Sequence, residues 1–233
     1  IAGAVRSSGI LISVCLPVYR AVLGLFARDV LLTLLLSRVR EKDVVYDIGA
    51  FEGSYSLAIA GRFDQILVYA FEPNPAAYRR LVKNIAHRKL VNKIIALNIA
   101  VSNKRGTAQF YISAYPPLSS LHPSHAAFRG ATSVAETVDV QCDTIDNMVQ
   151  KGTIRPPKVI KIDTEGHELQ VIQGARDTIG RFQPSVGFEP HGTKEEQGII
   201  AESIRGQLSA LGYSCRPLGD IRYSFWCQVP QKL

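Results

Sequence analysis

Short apolar runs alternate with segments of helical composition along most of this chain. The runs are rich in β-branched residues and nearly free of polar positions, which is typical of strands buried on both faces of a sheet. They cover residues 44–48, 66–71, 94–101, 159–163 and 185–189. The segments of helical composition predict helices over residues 54–62, 75–87, 168–180 and 195–211. This alternation predicts a parallel sheet that is covered by helices on both faces.

Two regions depart from this rhythm. Residues 107–112 and 137–142 alternate between polar and apolar positions, which predicts an inserted hairpin around the long polar loop 113–133. A loop of this length is often a functional lid, and disorder is the alternative. Residues 213–218 and 223–229 predict an antiparallel hairpin near the end of the chain. The predicted fold class is therefore α/β: a three-layer, Rossmann-like, seven-stranded, mostly parallel sheet with an antiparallel terminal hairpin, N-terminal helices and an inserted hairpin or lid between strands three and four.

The N-terminal region is predicted to be separate from the main domain. We assign residues 1–40 to a helical extension and residues 41–233 to the domain that carries the chemistry. Residues 9–36 are apolar, but charges such as Arg20 and Arg28 keep every uncharged run below the roughly 20 residues that span a bilayer. Helices packed on the domain, a peripheral contact with a membrane or a partner, and a signal peptide all stay open for this segment.

The net charge and the cysteine pattern limit the classes of binding partner and the cellular compartment that the sequence predicts. The net charge of +7 would suit nucleic acid, anionic lipid or an acidic substrate. No block of five like charges occurs, so no specific nucleic-acid contact is predicted. The cysteines show no C-x-x-C pattern, and they are Cys15, Cys142, Cys215 and Cys227. They predict neither a zinc site nor a disulfide framework, but reduced thiols in the cytoplasm, with or without membrane association.

The strongest local pattern is the decapeptide VVYDIGAFEG at residues 44–53. An apolar strand leads into a turn with two glycines and then into a helix that Ser54 is placed to cap. Strand, glycine turn and helix present backbone N–H groups and the positive end of a helix to a ligand. We expect Gly49 to allow the tight turn and Gly53 to allow a close approach. Such a turn alone also occurs in α/β domains that bind no nucleotide.

Acidic side chains at the ends of the first two strands indicate which kind of nucleotide the turn could bind. Glu72 follows the second strand and can accept hydrogen bonds from both ribose hydroxyls of a nucleoside. The other end of the ligand then lies beside Asp47, where an amino group fits better than a pyrophosphate. S-adenosylmethionine, an adenosine that carries an amino acid, satisfies both conditions. An NAD-dependent oxidoreductase stays as the alternative.

Further motifs follow in a fixed order along the chain. They are D-I-G-A-x-x-G from Asp47, F-E-P from Phe71, T-I-D from Thr144 and K-I-D-T-E-G-H-E from Lys161, followed by a carboxylate at Glu189. Together they resemble the FkbM-type S-adenosylmethionine-dependent methyltransferases over residues 43–191. The resemblance implies a class I Rossmann-like fold and O-methylation of a hydroxyl on a sugar, a polyketide or a lipid-linked glycan. Phe51 departs from the family, which usually carries a small polar residue at that position.

The predicted cofactor contacts lie in the glycine turn and after the second, third and fourth strands. They are Asp47, Gly49, Ala50, Phe51, Gly53, Ser54, Glu72, Pro73, Asn74, Ala100, Val101, Ser102 and Asp163. No N-P-P-[YF] tetrapeptide follows the fourth strand, which argues against a nitrogen acceptor. A non-catalytic domain that only binds S-adenosylmethionine, and a homodimer, stay open.

The stretch after the fourth strand supplies the candidates for catalysis, which are Asp163, Glu165 and His167. We expect His167 to act as the general base, because its unperturbed pKa of ~6.5 lies near neutral pH. The predicted substrate contacts are Ser120, Lys161, Glu189 and His191. Glu189, His191 and Asp163 could instead hold a divalent cation, but their spacing forms no recognisable metal motif, so no metal is predicted.

Overall fold

The structure is a computed structural model that describes residues 29–127, 133–219 and 223–230. The described helices are α1 (Val30–Arg38), α2 (Ser54–Arg62), α3 (Pro75–His87), α4 (Pro123–Ala126), α5 (Ile145–Gln150), α6 (Glu168–Gln173), α7 (Arg176–Phe182) and α8 (Lys194–Ser209). The described strands are β1 (Val44–Ile48), β2 (Leu67–Phe71), β3 (Ile94–Leu97), β4 (Ala100–Val101), β5 (Gly106–Ser113), β6 (Val134–Asp143), β7 (Val159–Ile162), β8 (Ser185–Phe188), β9 (Ser214–Pro217) and β10 (Phe225–Gln228). A 3₁₀ helix covers Pro116–Leu118.

A seven-stranded sheet forms the centre of the molecule, with the strand order β3-β2-β1-β7-β8-β10-β9. The pairs from β3 to β8 are parallel, and β10 runs antiparallel to both β8 and β9. The predicted α/β fold with a seven-stranded, mostly parallel sheet is thereby confirmed, including the antiparallel hairpin that closes the sheet. The strand order reverses at β1, between β2 and β7, and ligands of such sheets bind outside the carboxyl ends of the strands at this point.

Side chains alternate along each strand between two hydrophobic cores. Tyr46 of β1 and Ile160 of β7 belong to the core under α5 to α8, whereas Val45 belongs to the core under α1 to α3. Because successive side chains point to opposite faces, Asp47 and Lys161 both lie on the Val45 face. They are also direct partners in the β1–β7 register. The register therefore brings a carboxylate and an ammonium group side by side inside the protein.

The predicted third strand, residues 94–101, ends earlier than expected. Its first half is β3, and its last two residues form β4 in a separate three-stranded sheet with β6 and β5. Between the two halves, Asn98 donates hydrogen bonds to the backbone oxygens of Glu72 and Pro73. These hydrogen bonds hold the chain at the point where it leaves the main sheet. The continuous apolar run in the sequence did not indicate this break.

The single helix predicted over residues 168–180 is two helices, α6 and α7. Gly174 separates them, and a Cβ at this position would overlap the backbone oxygen of Ser102. The carboxylate of Asp146 accepts the backbone N–H groups of Asp177 and Thr178, so it caps the new helix. The break between α6 and α7 thus depends on contacts with Ser102 and Asp146. Both residues are distant in the sequence, so the helical composition of residues 168–180 does not predict the break.

The segment between β5 and β6 carries the predicted lid. The two strands pair in antiparallel register as a hairpin. The described part of the loop contains the 3₁₀ helix and α4. An isolated bridge between Tyr111 and Ser120 folds this part back onto β5. The loop is therefore ordered around its own hairpin where the structure describes it.

The N-terminal extension is described only from residue 29 onward, so most of the apolar segment 9–36 lies outside the described residues. Within the described part, the side chain of Asp29 caps α1. Leu31 and Leu35 are fully buried in the core that also contains α2 and α3. Among the described residues, no helix has the length and apolar character that crossing a membrane requires.

Two cysteines correct the prediction of reduced thiols. Cys215 on β9 and Cys227 on β10 form a disulfide bond. The two residues are separated by 12 positions in the sequence, but the antiparallel register makes them direct partners. The pairing of β9 with β10 therefore brings the two cysteines together, and the spacing of the cysteines in the sequence does not predict this pairing. The prediction of a cytoplasmic location relied in part on reduced thiols. The disulfide removes that support, because disulfides persist mainly in oxidising compartments.

Gly49→Ala is expected to destabilise the protein by more than about 2 kcal/mol, because the residue has a φ of +77° and a Cβ there would overlap the backbone oxygen of Asp163. The control is Gly61→Ala in α2, where nothing lies within 4 Å of the added Cβ. This control should stabilise the protein by roughly 0.5–1 kcal/mol through helix propensity. Urea unfolding of both variants measures the effect, and equal stabilities would contradict the close packing of the turn on β7.

Candidate active site

A cavity of about 440 Å³ opens at the carboxyl ends of β1, β2 and β7. Its volume falls in the range of small-molecule sites. The glycine turn, the segment after β7 and the loop between β5 and β6 surround it. Most of the predicted site residues border it: Gly49, Ala50, Phe51, Ser54, Glu72, Pro73, Ala100, Val101, Lys161, Asp163, Glu165 and His167.

A buried ion pair lies directly beneath the glycine turn. Lys161 Nζ is 3.0 Å from Asp47 Oδ1 and donates a hydrogen bond of 2.8 Å to the backbone oxygen of Gly49. The other oxygen of Asp47 accepts the backbone N–H and the hydroxyl of Ser56. Burial lowers the pKa of Lys161, but Asp47 and Asp163 outweigh this effect and raise the pKa above its usual value. Lys161 is therefore held as a cation.

The predicted contact of Asp47 with a ligand is not supported. Asp47 is 0% exposed and does not border the cavity. Its carboxylate instead fixes the start of α2 through Ser56, so the expectation that Ser54 caps this helix is wrong as well. The N-cap residue is Gly53, which provides no side-chain hydrogen bond. The place of Asp47 at the end of a strand led us to predict a ligand contact. Only the register of the sheet shows that its side chain points into the protein.

Glu72 lies where the sequence predicts a ribose contact. It borders the cavity although only 5% of it is exposed. Its two oxygens accept the backbone N–H groups of Phe51 and Asn74 at 2.7 and 2.8 Å. Each oxygen retains acceptor capacity for a ligand hydroxyl. Burial raises the pKa of Glu72 to about 7, while the two backbone hydrogen bonds oppose this shift.

The backbone N–H groups of the glycine turn are largely engaged within the protein. Those of Gly49 and Ala50 donate to the backbone oxygen of Phe71, and that of Gly53 donates to Ala50. The N–H of Phe51 donates to Glu72. The turn therefore lacks the outward row of donors that a pyrophosphate needs. A Cβ on Gly53 would crowd Leu81 of α3, so both glycines allow the chain to approach itself rather than a ligand.

His167 borders the cavity, but both of its ring nitrogens have partners. Nε2 is 2.9 Å from Ser102 Oγ, and Nδ1 is 3.2 Å from Nε2 of His122. Burial, reinforced by the neighbouring His122, lowers the pKa of His167 to about 4. The expectation of an unshifted pKa is therefore wrong. At neutral pH, the imidazole is a weaker base than the sequence indicates.

His191 lies behind the residues that follow β7, in a group of carboxylates. Its Nδ1 is 3.0 Å from Glu168, and its Nε2 lies 3.5–3.8 Å from Asp163, Glu165 and Glu189. Burial lowers the pKa of His191, but these carboxylates outweigh burial and hold the pKa well above its usual value. Glu189 and His191 do not border the cavity themselves, so their predicted substrate contacts stay predictions.

The loop between β5 and β6 covers one side of the cavity. Pro116, Pro117, Ser119 and Leu121 border the cavity. The hydroxyl of Ser120 donates to the backbone oxygen of Glu165 and thereby ties the loop to the segment after β7. Ser120 is fully buried, so its side chain anchors the loop and does not face a substrate. Loop length indicated a lid, and the structure places the loop where a lid would act.

Some predicted site residues do not border the cavity, and some residues that border the cavity were not predicted. Asn74 caps α3 through the backbone N–H groups of Ala76 and Ala77 and does not border the cavity, and neither does Ser102. Outside the predicted lid, the cavity residues that sequence reasoning missed are Asp29, Ile48, Tyr55, Phe71, Ile99, Phe110 and Thr164. Position alone could have indicated Tyr55, because it follows Ser54 in the first turn of α2. Its ring lies 5.0 Å from Lys161 Nζ, and its hydroxyl donates to Asp29.

A sequence profile described as the methyltransferase FkbM domain matches residues 47–215. The chain belongs to the FkbM methyltransferase family. The matched region runs from Asp47 through the glycine turn, Glu72 and the segment after β7.

Curated relatives support this membership of the FkbM family. The chain is 30% identical over 148 residues to the hexuronic acid methyltransferase AglP of Haloferax volcanii, a match that covers 63% of this chain and 55% of AglP. It therefore spans about half the length of that relative. It is 26% identical over 193 residues to the 31-O-demethyl-FK506 methyltransferase FkbM of Streptomyces tacrolimicus, which covers 72% of this chain and 73% of that protein.

Solved structures show the same fold. A methyltransferase FkbM from Methylobacillus flagellatus superposes with a TM-score of 0.53 at 15% identity, over 82% of this chain and 45% of that chain. A candidate caffeoyl-CoA O-methyltransferase from Staphylococcus aureus superposes with a TM-score of 0.54 at 12% identity, over 95% and 98% of the two chains. At these identities the likeness concerns the fold alone.

Lys161→Met is expected to destabilise this FkbM domain by about 3–5 kcal/mol, because it leaves Asp47 buried without its cation. The double variant Asp47→Asn/Lys161→Met should lose less stability than Lys161→Met alone, since the amide oxygen still accepts from Ser56 and carries no charge. Urea unfolding of the three proteins measures these differences. The control is Glu202→Gln, which breaks an exposed pair with Arg205 and should change stability by less than about 1 kcal/mol. A Lys161→Met protein as stable as this control would refute the role of the pair.

Proposed function

We propose that this protein transfers a methyl group from S-adenosylmethionine to a hydroxyl group of a small molecule or glycan. The observation that carries the proposal is Glu72, a buried carboxylate that borders the cavity at the end of β2. Its remaining acceptor capacity suits the two vicinal hydroxyls of a ribose. Membership of the FkbM family agrees with this assignment.

The residues around the cavity fit S-adenosylmethionine. Glu72 would accept the ribose hydroxyls, and the apolar wall of Ile99, Ala100 and Val101 would contact the adenine. Asp163 would receive the charged amino group. S-adenosylmethionine supplies a methyl group that is already activated by its positively charged sulfur. The protein therefore needs chiefly to bind and orient the two reactants, which can lower the barrier by about 7–11 kcal/mol.

The glycine turn favours this cofactor over a dinucleotide. Its backbone N–H groups at Gly49, Ala50, Phe51 and Gly53 already donate within the protein. A pyrophosphate would therefore find few donors there, whereas the amino-acid half of S-adenosylmethionine does not require them. The carboxylates of Asp163 and Glu165 on the cavity wall also favour a catalytic protein over a domain that only binds the cofactor.

Two features support a hydroxyl acceptor. The segment after β7 reads D-T-E-G and lacks the N-P-P-[YF] pattern of enzymes that methylate nitrogen. The two relatives described above are named for a hexuronic acid and for the 31-O position of demethyl-FK506. An alcohol must lose its proton as the oxygen–carbon bond forms, and a base positioned nearby assists this step. We assign this role to Glu165 on the cavity wall, because both ring nitrogens of His167 already have partners in Ser102 and His122.

Glu72→Ala is expected to weaken the binding of S-adenosylhomocysteine by about 10- to 100-fold, which corresponds to the loss of charge-assisted hydrogen bonds worth roughly 1.5–3 kcal/mol. Because burial raises the pKa of Glu72 to about 7, the free protein must release a proton from Glu72 on binding below that pH. Wild-type affinity should therefore fall as the pH drops from 8 to 6, by up to about tenfold per unit below the pKa. Glu72→Gln should lose this dependence.

Isothermal calorimetry across that pH range measures both effects, with Glu202→Gln as the control. Unchanged affinity in Glu72→Ala would remove the ribose assignment. Heat from NADH binding that depends on Glu72 would instead favour the oxidoreductase alternative.

Glu165→Gln is expected to lower kcat by about 10²-fold or more, whereas His167→Asn should lower it by less than about tenfold. Both variants should keep their affinity for S-adenosylhomocysteine. The assay follows transfer of a labelled methyl group to a panel of hexuronic acid glycosides, neutral sugars and polyketide alcohols. A larger loss in His167→Asn than in Glu165→Gln would return the role of base to the histidine, and transfer to none of the panel would count against the proposed acceptor class.

A further inference from the structure

The loop between β5 and β6 contacts the segment after β7 through three of its side chains. Each of them contacts a different one of three consecutive residues, and the pairs are Ser120 with Glu165, His125 with Gly166, and His122 with His167. The contacted residues lie between the end of β7 and the start of α6. The loop is therefore docked on the stretch that carries the proposed base.

The hydroxyl of Ser120 both donates and accepts a hydrogen bond. It donates to the backbone oxygen of Glu165 at 2.7 Å and accepts the backbone N–H of His122 at 3.0 Å. The backbone of Ser120 is itself paired with Tyr111 of β5 in both directions, at 2.8 and 3.0 Å. Ser120 is also fully buried. The hairpin thus fixes the position from which Ser120 holds Glu165.

Two histidines of the loop pack against the same segment. A Cβ on Gly166 would lie 2.5 to 2.8 Å from three atoms of the His125 ring, so this ring lies directly against the glycine backbone. A Cβ on Gly192, which follows β8, would lie 3.3 Å from the same ring. His122 Nε2 is 3.2 Å from His167 Nδ1. Two residues without side chains therefore make room for His125.

The peptide group between Glu165 and Gly166 is held at both of its polar atoms. Its oxygen accepts from Ser120, and its N–H donates to Oε1 of Glu168 at 3.0 Å. Glu165 has a φ of +52° and Gly166 has a φ of +99°. A residue with a side chain, such as Glu165, adopts a positive φ at a cost in free energy and keeps it only where its surroundings enforce it. The loop supplies one of the two hydrogen bonds that restrain this peptide.

We propose that Ser120 and His125 are positioning residues, which hold the peptide between Glu165 and Gly166 in place and thereby direct the Glu165 carboxylate at the cavity. Release of the peptide would let Glu165 relax toward a commoner backbone conformation, which would change the direction of its side chain. His191 contacts the carboxylate itself at 3.7 Å, whereas the loop acts on the backbone that carries it. The role of Glu165 as base rests on the proposed function, but the coupling between loop and segment does not.

Amide hydrogen exchange of the protein without cofactor or acceptor tests this coupling, with mass spectrometry of the peptide that covers residues 163–169. Ser120→Ala removes the hydrogen bond to Glu165 and should speed exchange there by about fivefold, the factor that corresponds to one hydrogen bond. The matched control is Ser124→Ala, which changes an exposed serine of α4 in the same loop and should exchange like the wild type. Exchange in α3 should stay unchanged in both variants, because a general destabilisation would speed it as well.

His125→Ala, which removes the ring from Gly166, is the second variant. It should also speed exchange in residues 163–169, and it carries the test if circular dichroism shows that Ser120→Ala does not fold. Exchange equal to that of the wild type in the folded variants would overturn the proposal.

Methyl transfer then tests what the coupling does for Glu165. Ser120→Ala, or His125→Ala in its place, should lower kcat by about tenfold while the affinity for S-adenosylhomocysteine stays within about threefold. In the Glu165→Gln background the same change should cause little further loss, since a positioning residue acts through the group that it positions. Losses that multiply in the double variant would overturn the positioning role. Absence of transfer by the wild type would count against the proposed function alone, and hydrogen exchange would still decide the coupling.

Discussion

The ion pair between Asp47 and Lys161 is the interaction on which the geometry of the site depends. The pair is buried between β1 and β7, where a single unpaired charge would be strongly unfavourable. Lys161 also binds the backbone oxygen of Gly49, and Asp47 binds Ser56 at the start of α2. One contact therefore holds the strand register, the glycine turn and the first helix in a common position. The cavity lies directly above these three elements.

The walls of the cavity differ in their electrostatics. On the β2 side, the acidic group is Glu72, whose pKa is raised by burial and whose two oxygens accept backbone N–H groups. On the β7 side, Asp163 and Glu165 are backed by Glu168, Glu189 and His191. A positively charged sulfonium between these walls would meet its favourable field on the β7 side. In the proposed function, Glu72 on the β2 side binds the ribose, whereas the carboxylates on the β7 side face the amino group of the cofactor and the reacting hydroxyl.

The two histidines near β7 have opposite environments. His167 is buried beside His122 and Ser102, and its pKa is lowered. His191 is surrounded by carboxylates, and its pKa is raised. The sequence places His167 close to Asp163 and His191 far from it, yet Nε2 of His191 lies within 3.5 Å of Asp163. Charge and burial from neighbouring elements, and not proximity along the chain, determine what each imidazole can do.

Local patterns by themselves determined the strands, the main helices, the fold class and the position of Glu72, because apolar periodicity and strand-end carboxylates are short-range signals. They also located Asp163 and Glu165 at the mouth of the sheet. Only the tertiary structure decided that Asp47 points inward, that the predicted helix over residues 168–180 is two helices and that Cys215 pairs with Cys227. These outcomes depend on strand register and on contacts between distant segments. A side chain's neighbours across a sheet come from another part of the chain, so no local pattern can report them.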